Sequence, residues 1–206
     1  MTYEALLAGL RKGYDAAADE REGAEVLPWK RAERRQFLDR LRGEDARSLL
    51  EIGAGTGVHG KFFQDMGLSV TCTDLSPALV ERCREKGLTS HVMDFLQLDF
   101  PDGSFDALFA MNCLLHVPRT DLPRVLGAVS KPLKAGGLFY WGQYGGADEE
   151  GVYEPDHYEP KRFFSRLTDE TMLGLTAGLF EVIDFHTVAL ERDVDVYQSL
   201  TLRKPG

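Results

Sequence analysis

The chain has 206 residues, a length that suits one α/β domain with a full core and would crowd two. Its net charge of −9 argues against a nucleic-acid partner, because binding the phosphate backbone requires a basic protein face. No apolar run approaches the roughly 20 residues of a membrane span, and the N-terminus lacks the pattern of a secretory signal. The three cysteines show no CxxC spacing, so we expect a reduced, cytoplasmic setting.

Two helices are predicted at the start of the chain, over residues 2–21 and 31–42, where apolar residues recur at helical spacing. A break at Pro28 separates them. Such an arrangement predicts an N-terminal helical cap over residues 1–44. The second helix carries a basic cluster, which is typical of a solvated helix face, with a contact to an anion as the alternative. The cluster consists of Lys30, Arg31, Arg34 and Arg35.

From residue 45 onwards, short apolar strands alternate with helices. This alternation is typical of a mostly parallel sheet with helices on both faces. Pro77 at the start of one helix and Gly87 just after it show the usual asymmetry of helix ends. The predicted strands are 48–52, 69–73, 90–93, 105–111 and 138–143, and the predicted helices are 57–66, 77–86 and 119–131.

The last quarter of the chain has a different character. Residues 144–166 are polar and aromatic with little periodicity, which predicts a loop. The elements predicted after it are a helix over 168–177 and two strands over 180–190 and 194–202, which form an antiparallel hairpin joined near residues 191–193. The predicted fold is a single Rossmann-like α/β domain over residues 1–206. Its seven-stranded, mostly parallel sheet has helices on both faces, an N-terminal helical cap and a C-terminal antiparallel hairpin.

A glycine-rich turn, Glu51-Ile52-Gly53-Ala54-Gly55-Thr56-Gly57, follows the first predicted strand. Glycines let the backbone turn tightly and let a ligand approach the main chain. The amides at the start of the following helix then face that ligand. The sequence therefore predicts a nucleotide or nucleoside site at the carboxyl end of the first strand.

Two classes of ligand use such a turn. The pattern GxGxxG is present at Gly55, Gly57 and Gly60, and Asp74 follows after about the 20 residues that a dinucleotide site expects. However, a carboxylate at Glu51 would repel a pyrophosphate brought against the turn. The same carboxylate suits a ligand that carries a cationic amine or sulfonium and no phosphate.

From about Ser48 to Tyr144, the chain resembles the class I S-adenosylmethionine-dependent methyltransferases. The run from the acid to the third glycine matches the first motif of that family. Further matches are Asp74-Leu75-Ser76-Pro77, where the acid takes the ribose hydroxyls, Asp94-Phe95, where adenine is held, the fourth-strand motif with Asn112, and Leu133-Lys134-Ala135-Gly136-Gly137 before the fifth strand.

The resemblance implies methyl transfer from S-adenosyl-L-methionine, with S-adenosyl-L-homocysteine as product, to O, N or C of a small-molecule acceptor. The protein would be a monomer or homodimer, with residues 45–144 as the cofactor-binding core and 145–206 as acceptor loop and C-terminal strands. The implied cofactor contacts are Glu51, Gly53, Ala54, Gly55, Gly57, Asp74, Leu75, Asp94, Phe95 and Asn112.

The acceptor side of the site is harder to assign. His116 follows the fourth predicted strand and is either a base or acceptor contact, or a histidine that lines the cofactor. Residues 145–165 are a predicted lid that orders on binding. The candidate acceptor contacts are Tyr14, Trp29, Tyr153, His157 and Tyr158, with ordinary packing as the alternative for Tyr14 and Trp29, and an exposed loop position as that for His157.

Some chemistries have no support in the sequence. His59 and His91 are interpreted as helix and strand residues, and no pair of histidines with an acid is visible, so we predict no metal. Two other functions stay open at this point. One is a cofactor-binding protein that does not transfer methyl groups, and the other is an NAD-dependent oxidoreductase.

Overall fold

The computed structural model describes residues 1–190 and 196–206, so the predicted hairpin junction near residues 191–193 lies outside the described residues. Within them, no helix combines the length and the apolarity needed to cross a bilayer. The helices are α1 (Tyr3–Ala16), α2 (Ala18–Glu22), α3 (Pro28–Gly43), α4 (Val58–Asp65), α5 (Pro77–Glu85), α6 (Leu122–Ser130) and α7 (Asp169–Thr176). The strands are β1 (Ser48–Ile52), β2 (Ser69–Asp74), β3 (Thr89–Val92), β4 (Phe105–Met111), β5 (Leu133–Gly145), β6 (Glu149–Val152), β7 (Phe163–Arg166), β8 (Glu181–Ala189) and β9 (Val196–Arg203).

Seven strands form one sheet in the order β3-β2-β1-β4-β5-β9-β8. The first five of these pair in parallel, and β9 pairs antiparallel with both β5 and β8. Successive side chains of a strand point to opposite faces, so Leu49 enters a core cluster with Phe37 of α3 and Phe63 of α4. Leu50 enters the other cluster, with Val125 of α6. The predicted Rossmann-like sheet, covered on both faces and ending in an antiparallel hairpin, is confirmed.

The N-terminal cap is held against α5 mainly by polar contacts. The predicted single helix over residues 2–21 is two helices that meet at Ala17. Asp19 of α2 forms an ion pair with Arg82 of α5, and Glu22 lies 2.6 Å from the Nζ of Lys86. This docking places α1 and α2 over the carboxyl ends of β1 and β2.

The prediction of a loop over residues 144–166 is wrong in part. β5 continues to Gly145, because each of its residues from Leu138 onwards pairs with β9. Within the remainder, β6 and β7 form a separate two-stranded antiparallel sheet. Each of its strands has four residues, and only Phe163 and Ser165 of β7 are buried. A period of two over so few residues is too short to stand out from the polar sequence around it.

A buried polar network joins α3 to the C-terminal strands. Glu33 is 5% exposed, and its Oε2 accepts hydrogen bonds from Tyr140 (3.1 Å) and Ser199 (2.6 Å). Its Oε1 lies 3.1 Å from Nε2 of His186, whose Nδ1 lies 2.8 Å from Asp184 Oδ2. Carboxylates only accept, so an imidazolium with both nitrogens protonated satisfies both contacts.

Protonated His186 should therefore stabilise the fold. Burial lowers the pKa of His186, but the hydrogen bonds that it donates to Glu33 and Asp184 outweigh this and raise the pKa above its ordinary value. A raised folded-state pKa gives stability that is fully present below the unfolded pKa and is lost as pH rises through the folded pKa. We expect His186→Gln to cost at most about 1 kcal/mol at pH 6, since the side chain is one-third exposed, and progressively less towards pH 9. Urea unfolding of both proteins across this range measures the difference, and a cost that grows with pH would contradict the assignment.

Candidate functional site

A cavity opens above the carboxyl ends of β1, β2, β3 and β4, with the glycine turn along one wall. The φ angles of Gly53, Gly55 and Gly57 are 60°, 59° and 79°, in the left-handed region that favours glycine. A Cβ on Gly53 would lie 2.3 Å from Cys113 Cβ, and one on Gly57 would lie 2.7 Å from Leu88. These two glycines are therefore required by packing. Gly55 has only the flexible Arg21 side chain beside it, at 3.5 Å, and borders the cavity.

Asp74 ends β2 and faces the same space. Its Oδ2 accepts a hydrogen bond from the amide of Gly55 (2.8 Å) and its Oδ1 one from the amide of Ser76 (2.9 Å). Burial raises the pKa of Asp74, while these amides act in the opposite direction. A carboxylate has about four acceptor positions, so two bonds leave capacity for hydroxyl groups of a ligand. Asp74 thus ties the glycine turn to β2 and still offers an acceptor to the cavity.

Glu51 lines the cavity from the end of β1 and is 3% exposed. Burial raises its pKa to about 8, and contacts with the thiol of Cys72 (3.6 Å) and the amide of Gly60 do not reverse that shift. This shift favours the protonated carboxyl group. The carboxylate that the sequence analysis assumed at Glu51 therefore requires a cation nearby. An ammonium or sulfonium beside Glu51 would favour the carboxylate and lower the pKa.

Aromatic and apolar side chains form the end of the cavity near β2 and β3. Phe95 stacks on Tyr3 of α1, with ring centroids 5.8 Å apart and planes 9° apart. Asp94 lies beside them, and its Oδ1 accepts a hydrogen bond from the amide of Leu96 (2.7 Å). This combination of a flat apolar wall and a carboxylate suits a heteroaromatic ring with an exocyclic amine. The wall is completed by Leu10, Leu75, Leu79 and Met93.

Asn112 follows β4 in a conformation that is uncommon for a residue other than glycine, with φ of 55°. Its backbone N–H donates a hydrogen bond to the carbonyl of Gly142 (2.8 Å), which fixes the backbone. The side chain lines the cavity, and both its Oδ1 and its Nδ2 are buried without a hydrogen-bond partner among residues 1–190 and 196–206. A buried amide without partners is costly, so this side chain is available to a polar ligand.

His116 lies at the mouth of the cavity in a short 3-10 turn and is 5% exposed. Its Nδ1 lies 2.7 Å from the carbonyl oxygen of Phe163, and its Nε2 lies 2.6 Å from the hydroxyl of Tyr14. A carbonyl only accepts, so Nδ1–H donates to it and the neutral Nε2 accepts from Tyr14. Burial lowers the pKa of His116 to about 3, which agrees with this neutral tautomer. Arg162 donates a second hydrogen bond to the Tyr14 oxygen (3.2 Å).

The cavity residues that were not predicted as site residues include Arg21, Lys30 and His59. The Arg21 guanidinium lies 5.1 Å from the centroid of the Tyr14 ring and donates to the hydroxyl of Tyr158 (3.2 Å). The helical spacing of apolar residues predicts which face of each helix is buried. It does not predict which other part of the protein a face contacts. The only sequence signal was the basic cluster that includes Lys30, where a contact with an anion was the alternative interpretation.

Comparison with known proteins adds independent information. Residues 49–137 match the family described as Methyltransferase domain. A ubiquinone biosynthesis O-methyltransferase of Xanthomonas oryzae pv. oryzae is 35% identical over 99 residues, which cover 45% of this chain and 41% of that protein. The chain therefore spans about two fifths of the length of this curated relative. Residues 49–137, which match the family, contain the glycine turn, Asp74, Asp94 and Asn112.

These matches support a class I S-adenosylmethionine-dependent methyltransferase. Among solved structures, the 1,6-didemethyltoxoflavin-N1-methyltransferase of Burkholderia thailandensis, with bound 1,6-didemethyltoxoflavin and S-adenosylhomocysteine, has the same fold. Its TM-score is 0.77 at 20% identity, covering 100% of this chain and 92% of that one. The [4+2]-cyclase SpnF is also similar, with a TM-score of 0.70 at 20% identity and coverage of 100% and 97%. The methyltransferase fold therefore does not by itself fix the reaction.

Several residues predicted to bind ligands lie outside this cavity. Gly57 caps α4 and packs against α5. Trp29 packs on Tyr197, with ring centroids 4.5 Å apart, on the sheet side of α3. Tyr153 is 51% exposed and borders a second cavity, beside β6 and β7.

The remaining two candidates lie near the cavity. His157 is exposed, and its Nε2 lies 3.3 Å from Glu20. Tyr158 is buried, with the guanidinium of Arg162 at 3.5 Å from its ring centroid, and it contacts the cavity through Arg21. Across residues 1–190 and 196–206, no three His, Cys, Asp or Glu side chains are grouped as metal ligands.

Proposed function

We propose that the protein transfers a methyl group from S-adenosyl-L-methionine to O, N or C of a small-molecule acceptor. The observation that carries this proposal is the set of groups around one cavity: the glycine turn, the Asp74 carboxylate and the unpartnered amide of Asn112. The match of residues 49–137 to the family described as Methyltransferase domain supports the same reaction. The protein contributes alignment and a water-excluding cavity, since proximity alone can be worth on the order of 7–11 kcal/mol.

In this proposal, the cofactor lies across the strand ends with its adenine at Asp94 and Phe95. Asp74 accepts hydrogen bonds from the ribose hydroxyls as a charge-assisted pair. The methionine part runs along Gly53 to Gly55, where Asn112 contacts its polar groups and the ammonium and sulfonium favour the charged form of Glu51.

Arg21 binds the carboxylate of the methionine part, because its guanidinium lies beside Gly55 and its Nε is buried without a partner in the described part of the chain. Arginine suits this role through its planar fork of donors. Ala54 and Leu75 complete the cofactor contacts in the cavity. The proposal treats residues 1–206 as one methyltransferase domain, with the cap over residues 1–44, the cofactor core over 45–144 and the acceptor region over 145–206.

The acceptor enters from the side of Tyr14 and His116 in this proposal. Both side chains border the cavity, and the hydroxyl of Tyr14 lies between the imidazole and the guanidinium of Arg162. The main alternative is a cofactor-binding protein that transfers no methyl group. Incubation of S-adenosylmethionine with a metabolite extract distinguishes the two, because only a methyltransferase gives products heavier by one methylene unit.

Asp74→Ala should weaken S-adenosylhomocysteine binding by roughly ten- to a hundredfold, since a lost hydrogen bond to a charged group costs about 1.5–3 kcal/mol. Isothermal titration calorimetry measures the change. Asp65→Ala serves as the control, because Asp65 is an exposed acid at the end of α4, outside the cavity. Unchanged affinity in a folded Asp74→Ala protein would overturn the ribose assignment, and absent binding by the unaltered protein would overturn the proposed function.

A further inference from the structure

The half of the cavity farthest from Asp94 contains a cation that the cofactor contacts leave unused. Lys30 lies in the first turn of α3, half-buried, and borders the cavity. Its Nζ lies 5.3 Å from the centroid of the Trp29 ring, and no carboxylate of residues 1–190 or 196–206 forms an ion pair with it. Burial and the nearby charge of Arg21 lower the pKa of Lys30. An ammonium placed this way is destabilised until an anion pairs with it.

His59 offers a second unpaired group in the same part of the cavity. It lies in the first turn of α4, with its ring 5.7 Å from that of Phe109. Its Nδ1 is buried and has no hydrogen-bond partner among the described residues. Burial, with Arg34 and Lys30 nearby, lowers the pKa of His59 to about 3, so the imidazole is neutral. A neutral imidazole with Nδ1 protonated donates one hydrogen bond to whatever lies in front of it.

The position of these groups assigns them to the acceptor half. Trp29, next to Lys30, packs against Tyr144 of β5 and Tyr197 of β9. The adenosine contacts, Asp74 and Asp94, follow β2 and β3 on the other side of β1. The turn of α3 that contains Lys30 therefore packs on the β4–β5 side of the sheet, whereas the nucleoside contacts lie on the β2–β3 side.

The charges of the cofactor also assign Lys30 to the acceptor half of the cavity. S-adenosylmethionine has one carboxylate, and Arg21 beside Gly55 pairs with it in the proposed function. A second cation in the same cavity then has no partner on the cofactor. We propose that Lys30 and His59 bind an oxyanion of the methyl acceptor, so that the acceptor is a small acid with a carboxylate or phenolate group. This inference rests on the proposed function and goes beyond it by giving the acceptor a charge.

The oxyanion serves as an anchor. Lys30 supplies the charge, and the neutral His59 adds a directed hydrogen bond, a combination that discriminates against amines and against uncharged amides of the same shape. Arg34 does not compete for the anion, because it does not line the cavity: its Nη1 donates to the carbonyl of Val58 (3.2 Å) and its guanidinium lies 4.2 Å from the Phe62 ring centroid.

The first measurement separates the two cations. S-adenosylhomocysteine and 5′-methylthioadenosine, which lacks the amino-acid part, are titrated into the unaltered protein, Arg21→Met and Lys30→Met. We expect Arg21→Met to weaken S-adenosylhomocysteine binding at least about tenfold and to leave 5′-methylthioadenosine unchanged. Lys30→Met should change S-adenosylhomocysteine affinity by less than about threefold. If Lys30→Met behaves as Arg21→Met does, Lys30 belongs to the carboxylate of the cofactor and the inference is overturned.

The second measurement uses benzoate and its neutral analogue benzamide, titrated by ligand-observed NMR into the protein saturated with S-adenosylhomocysteine. We expect benzoate to bind at least about tenfold more tightly than benzamide, and Lys30→Met to remove that preference. Lys30→Arg should retain the preference, and so should Lys12→Met, a control on the exposed face of α1. Equal binding of benzoate and benzamide, or a preference that survives Lys30→Met, would overturn the inference. Failure of S-adenosylhomocysteine to bind at all would instead count against the proposed function.

Discussion

Replacing Gly55 by valine should abolish S-adenosylhomocysteine binding and leave the protein folded. The φ of Gly55 is 59°, so a β-branched residue there costs about 1–2 kcal/mol, which is small against the 5–15 kcal/mol by which domains are typically stable. The first added carbon meets only the end of the Arg21 side chain, at 3.5 Å. The methyl groups beyond it occupy the space in which the methionine part of the cofactor lies. Calorimetric titration and thermal unfolding of the variant measure the two effects.

Gly87→Val gives a matched control for the backbone cost. Gly87 has a φ of 76° and follows α5, and a Cβ there would have nothing within 4 Å. It is not part of the cavity, so this variant should lose a similar amount of stability and bind S-adenosylhomocysteine normally. Near-native affinity in Gly55→Val would show that the glycine turn does not hold the cofactor.

Once an acceptor is identified, His116→Ala should lower kcat by roughly 10²-fold, because a misplacement of about 1 Å in a reacting group can cost that much. The structure points to a positioning residue: neutral His116 accepts a hydrogen bond from the hydroxyl of Tyr14 and fixes that side chain in the cavity. Tyr14→Phe should give a similar loss, and the double variant little more, since the two act as one unit. His91→Ala, at an exposed position on β3, is the control.

The pH dependence separates this role from that of a general base. The pKa of His116 is about 3, so the side chain stays neutral across the range in which an ordinary histidine titrates. If His116 only positions Tyr14, the unaltered protein and His116→Ala should show the same pH dependence of kcat between about pH 5 and 8, with no inflection that is lost in the variant. Such an inflection, or additive losses in the double variant, would argue for a base. Affinity for S-adenosylhomocysteine should change by less than about threefold in His116→Ala, in Tyr14→Phe and in the double variant.

The cofactor half of the candidate site could be predicted from the sequence, because its residues follow strand ends. Parallel strands bring their carboxyl ends to one edge, so an acid after β2, another after β3 and an asparagine after β4 must come close to the glycine turn. The order of strands and helices is a local signal, and together with the resemblance of the motifs after these strands it predicted Asp74, Asp94 and Asn112.

The acceptor half depends on contacts between distant parts of the chain. Trp29 and Lys30 are neighbours on α3, and the sequence favoured the aromatic residue for the site. The helix packs with Trp29 towards the sheet and Lys30 towards the cavity, a rotation fixed by contacts such as that of Glu33 with Ser199. Similarly, His59 reads as an ordinary helix residue until α4 is placed beside the cavity. No pattern within one helix contains that information.

The attachment of the N-terminal cap sets how a ligand can come and go. Exposed ion pairs of the kind that join α2 to α5 are worth about 0–1 kcal/mol each, and few side chains of α1 and α2 are buried. The sheet beneath is held by two apolar clusters. Tyr3 ties α1 into one of these clusters, whereas Ala18 is the one buried side chain of α2, so local opening should begin at α2 and leave the sheet intact. A ligand that contacts both Arg21 and the glycine turn bridges the two parts, so occupancy itself would close the protein around the ligand and slow its escape.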